Sequence, residues 1–226
     1  MDISIVILNY KSKGFTLNCV RSIKEADFGK LEKEVIVVDN DSGDHVGEIL
    51  AWQHPEAEFI QNHTNAGMGR GNNVGLKRAR GDYLVVMNPD TIAFPDTFVK
   101  LHAFMEAHQD VGVVGPRQLN PDRSVQNSCY RWHSLLTPLY RRTKLGRMFF
   151  ARPSLDNFLM RDFDHQAERE VDWLLGSFLF CRRQALKEIG YFDERYFLYL
   201  EDTDLCRSFW GQGWAGGLLP GSGNNP

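Results

Sequence analysis

Short, uninterrupted apolar runs alternate with helical patterns along the first half of this 226-residue chain. The runs occupy residues 3–8, 34–38, 58–60, 83–87 and 111–115, and the third is the weakest. Such runs are typical of strands that are covered on both faces. Strands separated by single helices join through right-handed crossovers. The pattern therefore predicts an α/β fold, with a Rossmann-like, mostly parallel sheet and helices on both faces in a single continuous domain.

Apolar residues at helical spacing lie between these runs. We expect Asp44 to cap the second helix and Pro95 to lie in the first turn of the fourth. A third helix, over 71–79, follows a glycine-rich turn and is closed by Gly81. The apolar residues that mark the other helices are Leu17, Val20 and Ile23, then Val46, Ile49 and Leu50, and finally Phe98, Leu101 and Met105.

The second half of the chain is less regular. Residues 173–181 predict a buried strand with a break at small residues, and 182–189 predict a helix that Gly190 ends. Another helix starts near Asp202. We expect the tail over 211–226, which is rich in Gly, Asn and Pro, to be loosely ordered.

A basic aromatic segment covers residues 123–155. It contains seven basic residues and no acidic one, with Tyr130, Trp132, Tyr140, Phe149 and Phe150 interleaved. One interpretation is a solvated loop with helical turns. The other is a mobile segment that contacts anionic lipid or a diphosphate-bearing acceptor. The seven basic residues are Arg123, Arg131, Arg141, Arg142, Lys144, Arg147 and Arg152.

Composition excludes several classes of protein. With 26 Lys and Arg against 29 Asp and Glu, the net charge of −3 argues against a nucleic-acid binder. No apolar run approaches the ~18–20 residues that cross a bilayer. The first residues lack the basic start of a signal peptide. The four cysteines lack metal-site spacing, so we expect reduced, buried thiols in a cytoplasmic protein.

Polar clusters end three of the predicted strands. They are Asn9-Tyr10, Asp39-Asn40 and Asn88-Pro89-Asp90. One such cluster would indicate only a turn. Because ligands of parallel sheets bind beyond the carboxyl ends of the strands, three clusters at the same edge favour a binding site there.

The glycine-rich turn over 65–75 invites comparison with a dinucleotide fingerprint. G-x-G-x-x-G fails, because the sixth position is Asn72 counted from Gly67 and Val74 counted from Gly69. The turn also follows the third strand instead of the first. A nicotinamide-dependent dehydrogenase is therefore a distant alternative. The turn either presents backbone N–H groups to an anion or packs a helix closely on a strand.

Acidic residues at two places suit cation binding or acid–base catalysis. Asp90 follows a strand and a rigid proline, and a hard cation such as Mg²⁺ needs few protein carboxylates. A plain Asx-Pro turn is the other interpretation. Glu201 and Asp202 follow an aromatic, apolar stretch, where desolvation raises the proton affinity of a carboxylate and suits it to general-base catalysis. The other interpretation is that these two acids only interact favourably with the dipole at the start of a helix.

Six motifs in order give the chain a family resemblance. They are ILNY at 7–10, VVDNDS at 37–42, NAG at 65–67 with NNVG at 72–75, NPD at 88–90, DWLLGS at 172–177, and GYFDE at 190–194 through Glu201-Asp202. The set resembles the family 2 inverting glycosyltransferases of the glycosyltransferase A-type fold, in the rhamnosyltransferase-like branch. The resemblance covers nearly the whole chain and implies a nucleotide-sugar-binding half over 1–115 and an acceptor-binding half over 116–226.

The resemblance also implies donor-binding residues. Tyr10 matches the residue that packs on the nucleotide base, and Asp39 matches the carboxylate that accepts the pyrimidine N–H and helps to hold the ribose. Asn65, Gly67 and Asn73 match the turn that supports the nucleotide diphosphate. These residues would together bind a UDP- or dTDP-linked sugar.

The catalytic parts follow from the same resemblance. Asp90 matches the last acid of the family's metal motif and would bind Mg²⁺ or Mn²⁺. Asp202 matches the base that deprotonates the acceptor hydroxyl, with Glu201 beside it. The implied acceptor-binding residues are Trp173, Gly176 and Ser177.

These roles describe a metal-dependent inverting transferase of cell-surface polysaccharide synthesis. Its acceptor would be a saccharide or a lipid-linked saccharide, reached from the cytoplasmic side with peripheral membrane contact. A homodimer is left open. The chain departs from many relatives at Asn88, which replaces an acid, at Asn72, which replaces an arginine, and after Asp202, where no histidine follows. A catalytically impaired or truncated nucleotide-sugar-binding module is therefore the alternative.

Overall fold

An eight-stranded sheet forms the centre of the molecule, and its strand order is β3-β2-β1-β4-β11-β5-β12-β9. The computed structural model describes residues 1–134, 137–143 and 152–219. In chain order the strands are β1 (Ile3–Asn9), β2 (Lys33–Asn40), β3 (Glu58–Asn62), β4 (Tyr83–Met87), β5 (Val111–Pro116), β6 (Gln118–Leu119), β7 (Val125–Gln126), β8 (Cys129–Tyr130), β9 (Arg169–Glu170), β10 (Trp173–Leu174), β11 (Phe178–Arg182) and β12 (Ala215–Leu219).

Helices cover both faces of this sheet. They are α1 (Lys13–Glu25), α2 (Val46–Gln53), α3 (Met68–Arg78), α4 (Thr97–Ala107), α5 (Thr137–Arg142), α6 (Arg152–Phe158), α7 (Arg183–Ile189) and α8 (Glu201–Gly211). None of the helices in the described ranges is both long enough and apolar enough to cross a membrane.

Alternating side chains of the strands build two cores. In β1, Ile3, Ile5 and Ile7 share a core with α1, α2 and α4, whereas Val6 and Leu8 share the other core with α3, α7 and α8. This division follows from the strand period of two, which sends neighbouring side chains to opposite faces. The predicted mostly parallel sheet with helices on both faces is confirmed. All four cysteines are buried and unpaired, as predicted.

One strand of the second half runs against its neighbours. β11 lies antiparallel between β4 and β5, with Phe178 opposite Met87. The predicted strand over 173–181 is thereby divided at its small residues, because β10 pairs with β8 in a separate two-stranded sheet. The break over 175–177 consequently lies at the carboxyl end of β4.

The prediction of a loosely ordered tail is wrong over 215–219. These residues form β12, which lies between β5 and β9 with Leu218 buried. The sequence pattern did not predict this strand because Gly216 and Gly217 carry no apolar side chain. They allow close packing instead, since a Cβ atom at Gly216 would lie 3.2 Å from the carbonyl oxygen of Val171.

Two predicted segments extend beyond the described residues. Positions 135–136 and 144–151 of the basic aromatic segment lie outside them, as do positions 220–226 of the tail. The remainder of the basic aromatic segment includes β7, β8 and α5, and it continues into α6.

Candidate active site

The polar strand ends predicted from the sequence meet at one edge of the sheet. Asn9 at the end of β1 lies opposite Asp39 at the end of β2. Asn88 follows β4, which is the neighbour of β1 on the other side. The antiparallel β11 begins at this same edge, so the preceding Gly176 and Ser177 lie beside Asn88.

Asp39 is a buried carboxylate surrounded by donors. Its Oδ1 accepts hydrogen bonds from Asn9 Nδ2, at 2.6 Å, and from the Ser42 hydroxyl. Its Oδ2 accepts the Ser42 N–H at 3.0 Å and Gln61 Nε2 at 2.8 Å. Burial would raise the pKa of Asp39, but these hydrogen bonds outweigh it and lower the pKa below its ordinary value. Asp39 is therefore ionised and fixed in position.

Asn40 holds the glycine-rich turn against β2. Its Nδ2 donates to Asn65 Oδ1 at 2.9 Å and to the Gly67 carbonyl at 3.2 Å, and its Oδ1 accepts the Ala66 N–H at 3.1 Å. Gly67 has a φ of 81° and lies against the backbone of Phe197, where a side chain would clash. The turn thus needs glycine at this position.

The rest of the turn serves close packing. α3 begins at Met68, one turn earlier than predicted, and a Cβ atom at Gly71 or Gly75 would lie within 2.7 Å of Leu8 or Val6. Asn73 is buried, and its Nδ2 donates to the Phe192 carbonyl at 2.9 Å. Its side chain is thus occupied in the protein interior, and its diphosphate-binding role stays a prediction.

A cleft of about 1100 Å³ opens beside these strand ends. Tyr10 lines it with 43% of its surface exposed. The other polar lining residues are Ser12, Asn88, Asp90, Thr91, Thr97, Lys100, Arg117, Gln118, Asn120, Arg123, Gln126 and Ser177.

Asp90 and Asn88 both line this cleft. Asp90 is exposed, whereas Asn88 Oδ1 is buried and accepts no hydrogen bond from the described residues. A carboxylate and an unpartnered amide oxygen are ligands that Mg²⁺ and Mn²⁺ prefer, with phosphate and water completing the shell. The pair therefore fits a divalent cation. Across the described ranges no three His, Cys, Asp or Glu residues are grouped as metal ligands.

Asp202 is tied to the loop that precedes β11. Its Oδ2 accepts the Gly176 N–H at 2.9 Å, and its Oδ1 accepts the Thr203 N–H at 2.7 Å within the first turn of α8. A Cβ atom at Gly176 would lie 3.1 Å from Asp202 Cβ, so this approach requires a very small residue. The next residue, Ser177, lines the cleft and accepts the Asn88 N–H on its carbonyl at 2.9 Å.

Glu201 is the more buried of the two acids at the start of α8. Its exposed fraction is 8%, and its Oε2 has no hydrogen-bond partner among the described residues. Burial, and then the neighbouring charge of Asp202, raise the pKa of Glu201. The apolar residues before it, Leu198 to Leu200, are largely exposed, and Leu198 lines the cleft.

Trp173 does not line the cleft. It is buried in an aromatic cluster, where its ring stacks on Tyr130 at 4.3 Å and on His133 at 5.6 Å. Its Nε1 donates to the Arg131 carbonyl at 3.1 Å. The predicted acceptor contact of Trp173 stays a prediction.

Some residues at this edge were not predicted from the sequence. They are Ser42 and Gln61, which donate to Asp39, and Arg117 and Gln118, which line the cleft. Arg117 and Gln118 directly follow β5, so the argument from polar strand ends, extended to the fifth strand, would have found them. Gln61 and Asn62 end β3, so the same pattern of polar strand ends, extended to the third strand, would have indicated Gln61 as well.

Comparisons with known proteins agree on one family. The model of "Glycosyl transferase family 2" matches residues 4–190. An N-acetylglucosaminyl-diphospho-decaprenol L-rhamnosyltransferase of Mycobacterium tuberculosis is 29% identical over 197 residues, which cover 82% of this chain and 64% of that protein. The low-salt glycan biosynthesis hexosyltransferase Agl10 of Haloferax volcanii is 26% identical over 210 residues, covering 91% and 60%.

Solved structures share the fold. The crystal structure of Staphylococcus aureus TarS residues 1–349 superposes with a TM-score of 0.65 at 20% identity, covering 97% of this chain and 58% of that one. A Pyrobaculum calidifontis mannosyltransferase in complex with GDP-Man and Mn²⁺ gives 0.66 at 18%, covering 97% and 55%. This chain spans less than two thirds of the length of each of these four proteins.

Proposed function

Because the chain belongs to glycosyl transferase family 2, we propose that it moves a sugar from a nucleotide-diphosphate donor to a hydroxyl group, with inversion at the anomeric carbon. The observation that carries this proposal is one cleft lined by Tyr10, Asp90 and Ser177, with Asp202 bonded to the adjoining Gly176. Residues for base stacking, cation binding and proton removal thereby share one edge of the sheet.

Asp202 acts as the general base in this proposal. It takes the proton of the acceptor hydroxyl while that oxygen attacks the anomeric carbon on the face opposite the diphosphate. The new carbon–oxygen bond forms as the bond to the diphosphate oxygen breaks, and the nucleoside diphosphate leaves with the bonding electrons. One carboxylate suffices, since inversion needs no second nucleophile. The hydrogen bonds from Gly176 and Thr203 support this role because they fix the carboxylate.

Tyr10 and Asp39 form the nucleotide end of the site. The half-exposed ring of Tyr10 is available to stack on a base. The ionised Asp39 would accept a pyrimidine N–H by exchanging one of its present donors, Asn9, Ser42 or Gln61, for the base. Asn65 and Gly67 shape the turn that supports the diphosphate, and Asn73 holds that turn through α3. We therefore favour a UDP- or dTDP-linked sugar.

Asp90 and Asn88 would hold Mg²⁺ or Mn²⁺. When bound, the cation neutralises the charge of the leaving diphosphate. The Mn²⁺ complex of the Pyrobaculum mannosyltransferase supports a cation in this fold. The protein's own part is to place an exposed carboxylate and an unpartnered amide oxygen at the cleft.

The acceptor is a saccharide or a lipid-linked saccharide of cell-surface polysaccharide synthesis. The name of the Mycobacterium relative, which specifies a diphospho-decaprenol acceptor, supports the lipid-linked form. Residues 1–115 bind the nucleotide sugar and residues 116–226 the acceptor. The reaction takes place on the cytoplasmic side with peripheral membrane contact, and a homodimer is compatible with it.

Release of nucleoside diphosphate tests the proposal. UDP- and dTDP-sugars are offered with Mg²⁺ or Mn²⁺ and lipid-diphosphate saccharides as acceptors, and release is compared with and without EDTA. We expect release that depends on both the acceptor and the cation. Absence of release above buffer for every donor contradicts the transferase. If a nucleotide still raises the melting temperature, the alternative of an impaired binding module is supported instead.

A further inference from the structure

The cleft carries more positive than negative charge. Among the described residues its lining includes Lys100, Arg117 and Arg123 but only one acidic residue, Asp90, which binds a cation in the proposed function. Lys100 lies in α4, and Arg117 and Arg123 follow β5. In the sheet, β5 is separated from β1 and β2, which carry the proposed nucleotide residues, by β4 and β11. Such a lining favours an anion in addition to the nucleotide.

Arg117 is the best placed of these residues. Its backbone N–H donates to the Leu219 carbonyl at 2.9 Å, so β12 fixes its position. Its side-chain Nε is buried and has no hydrogen-bond partner among the described residues. A buried donor without an acceptor is costly. Because Arg117 lines the cleft, a small turn of its side chain toward the cleft would let a ligand supply the acceptor and remove this cost. The guanidinium group therefore suits a ligand oxygen.

Neighbouring contacts link Arg117 to the acceptor side of the site. The next residue, Gln118, accepts the Ser177 hydroxyl at 2.8 Å. Ser177 adjoins Gly176, whose N–H is bound by Asp202. Gln118, Ser177 and Gly176 thus connect Arg117 to the proposed base. In the strand order, Asp39 at β2 lies on one side of Asp90, which follows β4, and Arg117 after β5 lies on the other.

From these observations we propose that Arg117 binds a phosphate group of the acceptor, with Lys100 and Arg123 contributing positive charge nearby. Planar guanidinium matches phosphate oxygens in a paired geometry. Lys100 is already paired with Asp96 at 2.6 Å, so Arg117 carries the main contact. Ile92 and Phe94 also line the cleft and are 55% and 44% exposed, which suits an apolar chain attached to that phosphate. This inference rests on the proposed function.

Binding of geranyl diphosphate to the chain saturated with UDP and Mg²⁺ tests the inference, because the donor diphosphate site is then filled. We expect Arg117→Gln to weaken this binding about tenfold or more, while UDP binding changes less than about threefold. Arg117→Lys should keep part of the affinity. The matched control is Arg21→Gln, an exposed arginine of α1 outside the cleft, which should leave both affinities unchanged.

Geraniol and inorganic pyrophosphate separate the sources of the phosphate. Geraniol should bind weakly to wild type. Pyrophosphate that binds as well as geranyl diphosphate, with the same Arg117 dependence, indicates a phosphate without a lipid chain. The inference is overturned if Arg117→Gln weakens the binding of UDP and of geranyl diphosphate equally, or if it weakens neither. If UDP does not bind wild type at all, the proposed function has failed; if UDP binds but geranyl diphosphate does not, only the inference has failed.

Discussion

Asp39 and Glu201 are both buried carboxylates, but their surroundings shift their proton affinities in opposite directions. Asp39 receives hydrogen bonds from Asn9, Ser42 and Gln61, which lower its pKa despite burial. Glu201 has one oxygen without a hydrogen-bond partner in the part of the chain that the structure describes, and burial raises its pKa. Neighbouring donors, not burial alone, decide the charge of a buried acid.

Glu201→Gln should stabilise the protein near neutral pH. A raised folded-state pKa means that the folded protein binds this proton more tightly than the unfolded chain does. The wild type therefore loses stability as pH rises from the ordinary Glu value, about 4.3, through the higher folded value. The gain from the amide should consequently grow between pH 4 and pH 7, as measured by urea unfolding.

The exposed Glu168→Gln is the control for this pH series. We expect its unfolding free energy to track that of wild type across the range. A Glu201→Gln variant whose difference from wild type is the same at pH 4 and pH 7 would contradict the raised pKa.

Asp202→Asn should separate binding from transfer. The amide keeps the size of the side chain but cannot take a proton, so we expect nucleotide affinity within about twofold of wild type and a loss of turnover of about 10²–10⁴-fold. Calorimetry with UDP or dTDP and the release assay measure the two quantities. Asp204→Asn, in the same turn of α8, should keep turnover. Full turnover in Asp202→Asn would mean that another group is the base.

At the scale of elements, two short turns assemble the site. The loop over 175–177 brings the N–H of Gly176 to Asp202, and the turn over 65–67 sits against Phe197. The Met68 N–H donates to the Phe197 carbonyl at 2.7 Å, which joins the start of α3 to the segment before α8. The proposed nucleotide and acceptor ends of the site therefore share one packed junction.

Gly67→Ala should disturb this junction. The residue has a φ of 81° and no room for a side chain, so we expect a loss of about 1–3 kcal/mol in unfolding free energy and weaker nucleotide binding. Gly14→Ala is the matched control, because Gly14 lies in α1 with open space around it. It should be neutral or stabilise by up to about 1 kcal/mol. Equal effects of the two substitutions in urea unfolding would contradict this account.

At the scale of the whole molecule, one sheet is built from both halves of the chain. β11 and β12 of the second half flank β5 of the first, and β11 also pairs with β4. Side chains from both halves meet in both cores, as Leu218 and Val113 do in one and Phe178 and Phe98 in the other. The two predicted binding halves therefore share both the sheet and its cores.

Leu218→Ala tests the importance of β12. Leu218 is fully buried, so we expect a loss of about 2–5 kcal/mol in unfolding free energy, measured by urea denaturation. Leu139→Ala, on a side chain that is 44% exposed in α5, should cost much less. A Leu218→Ala loss no larger than the control would restore the original expectation of a loosely ordered tail.

The sequence alone predicted the strands and helices of the first half and the polar edge, because these depend on local patterns. The strand β4 and the helix α1 follow directly from their apolar spacing. The ends of β1, β2 and β4 carry polar residues, and parallel pairing brings such ends together whatever the rest of the chain does. The residue types at that edge were therefore predictable.

Only the tertiary structure decided the partners of those residues. Residues distant in the chain decide the antiparallel insertion of β11, the burial of Glu201 and the enclosure of Trp173. They also decide that Arg117 Nε is buried without a partner among the described residues. β12 was likewise not predictable from the sequence, because its glycines give no apolar pattern. Its pairing with β5 is what makes it a strand. The spacing of apolar residues within a segment determines which face of that helix or strand is buried. Contacts between segments determine which polar groups remain without a protein partner and can bind a ligand.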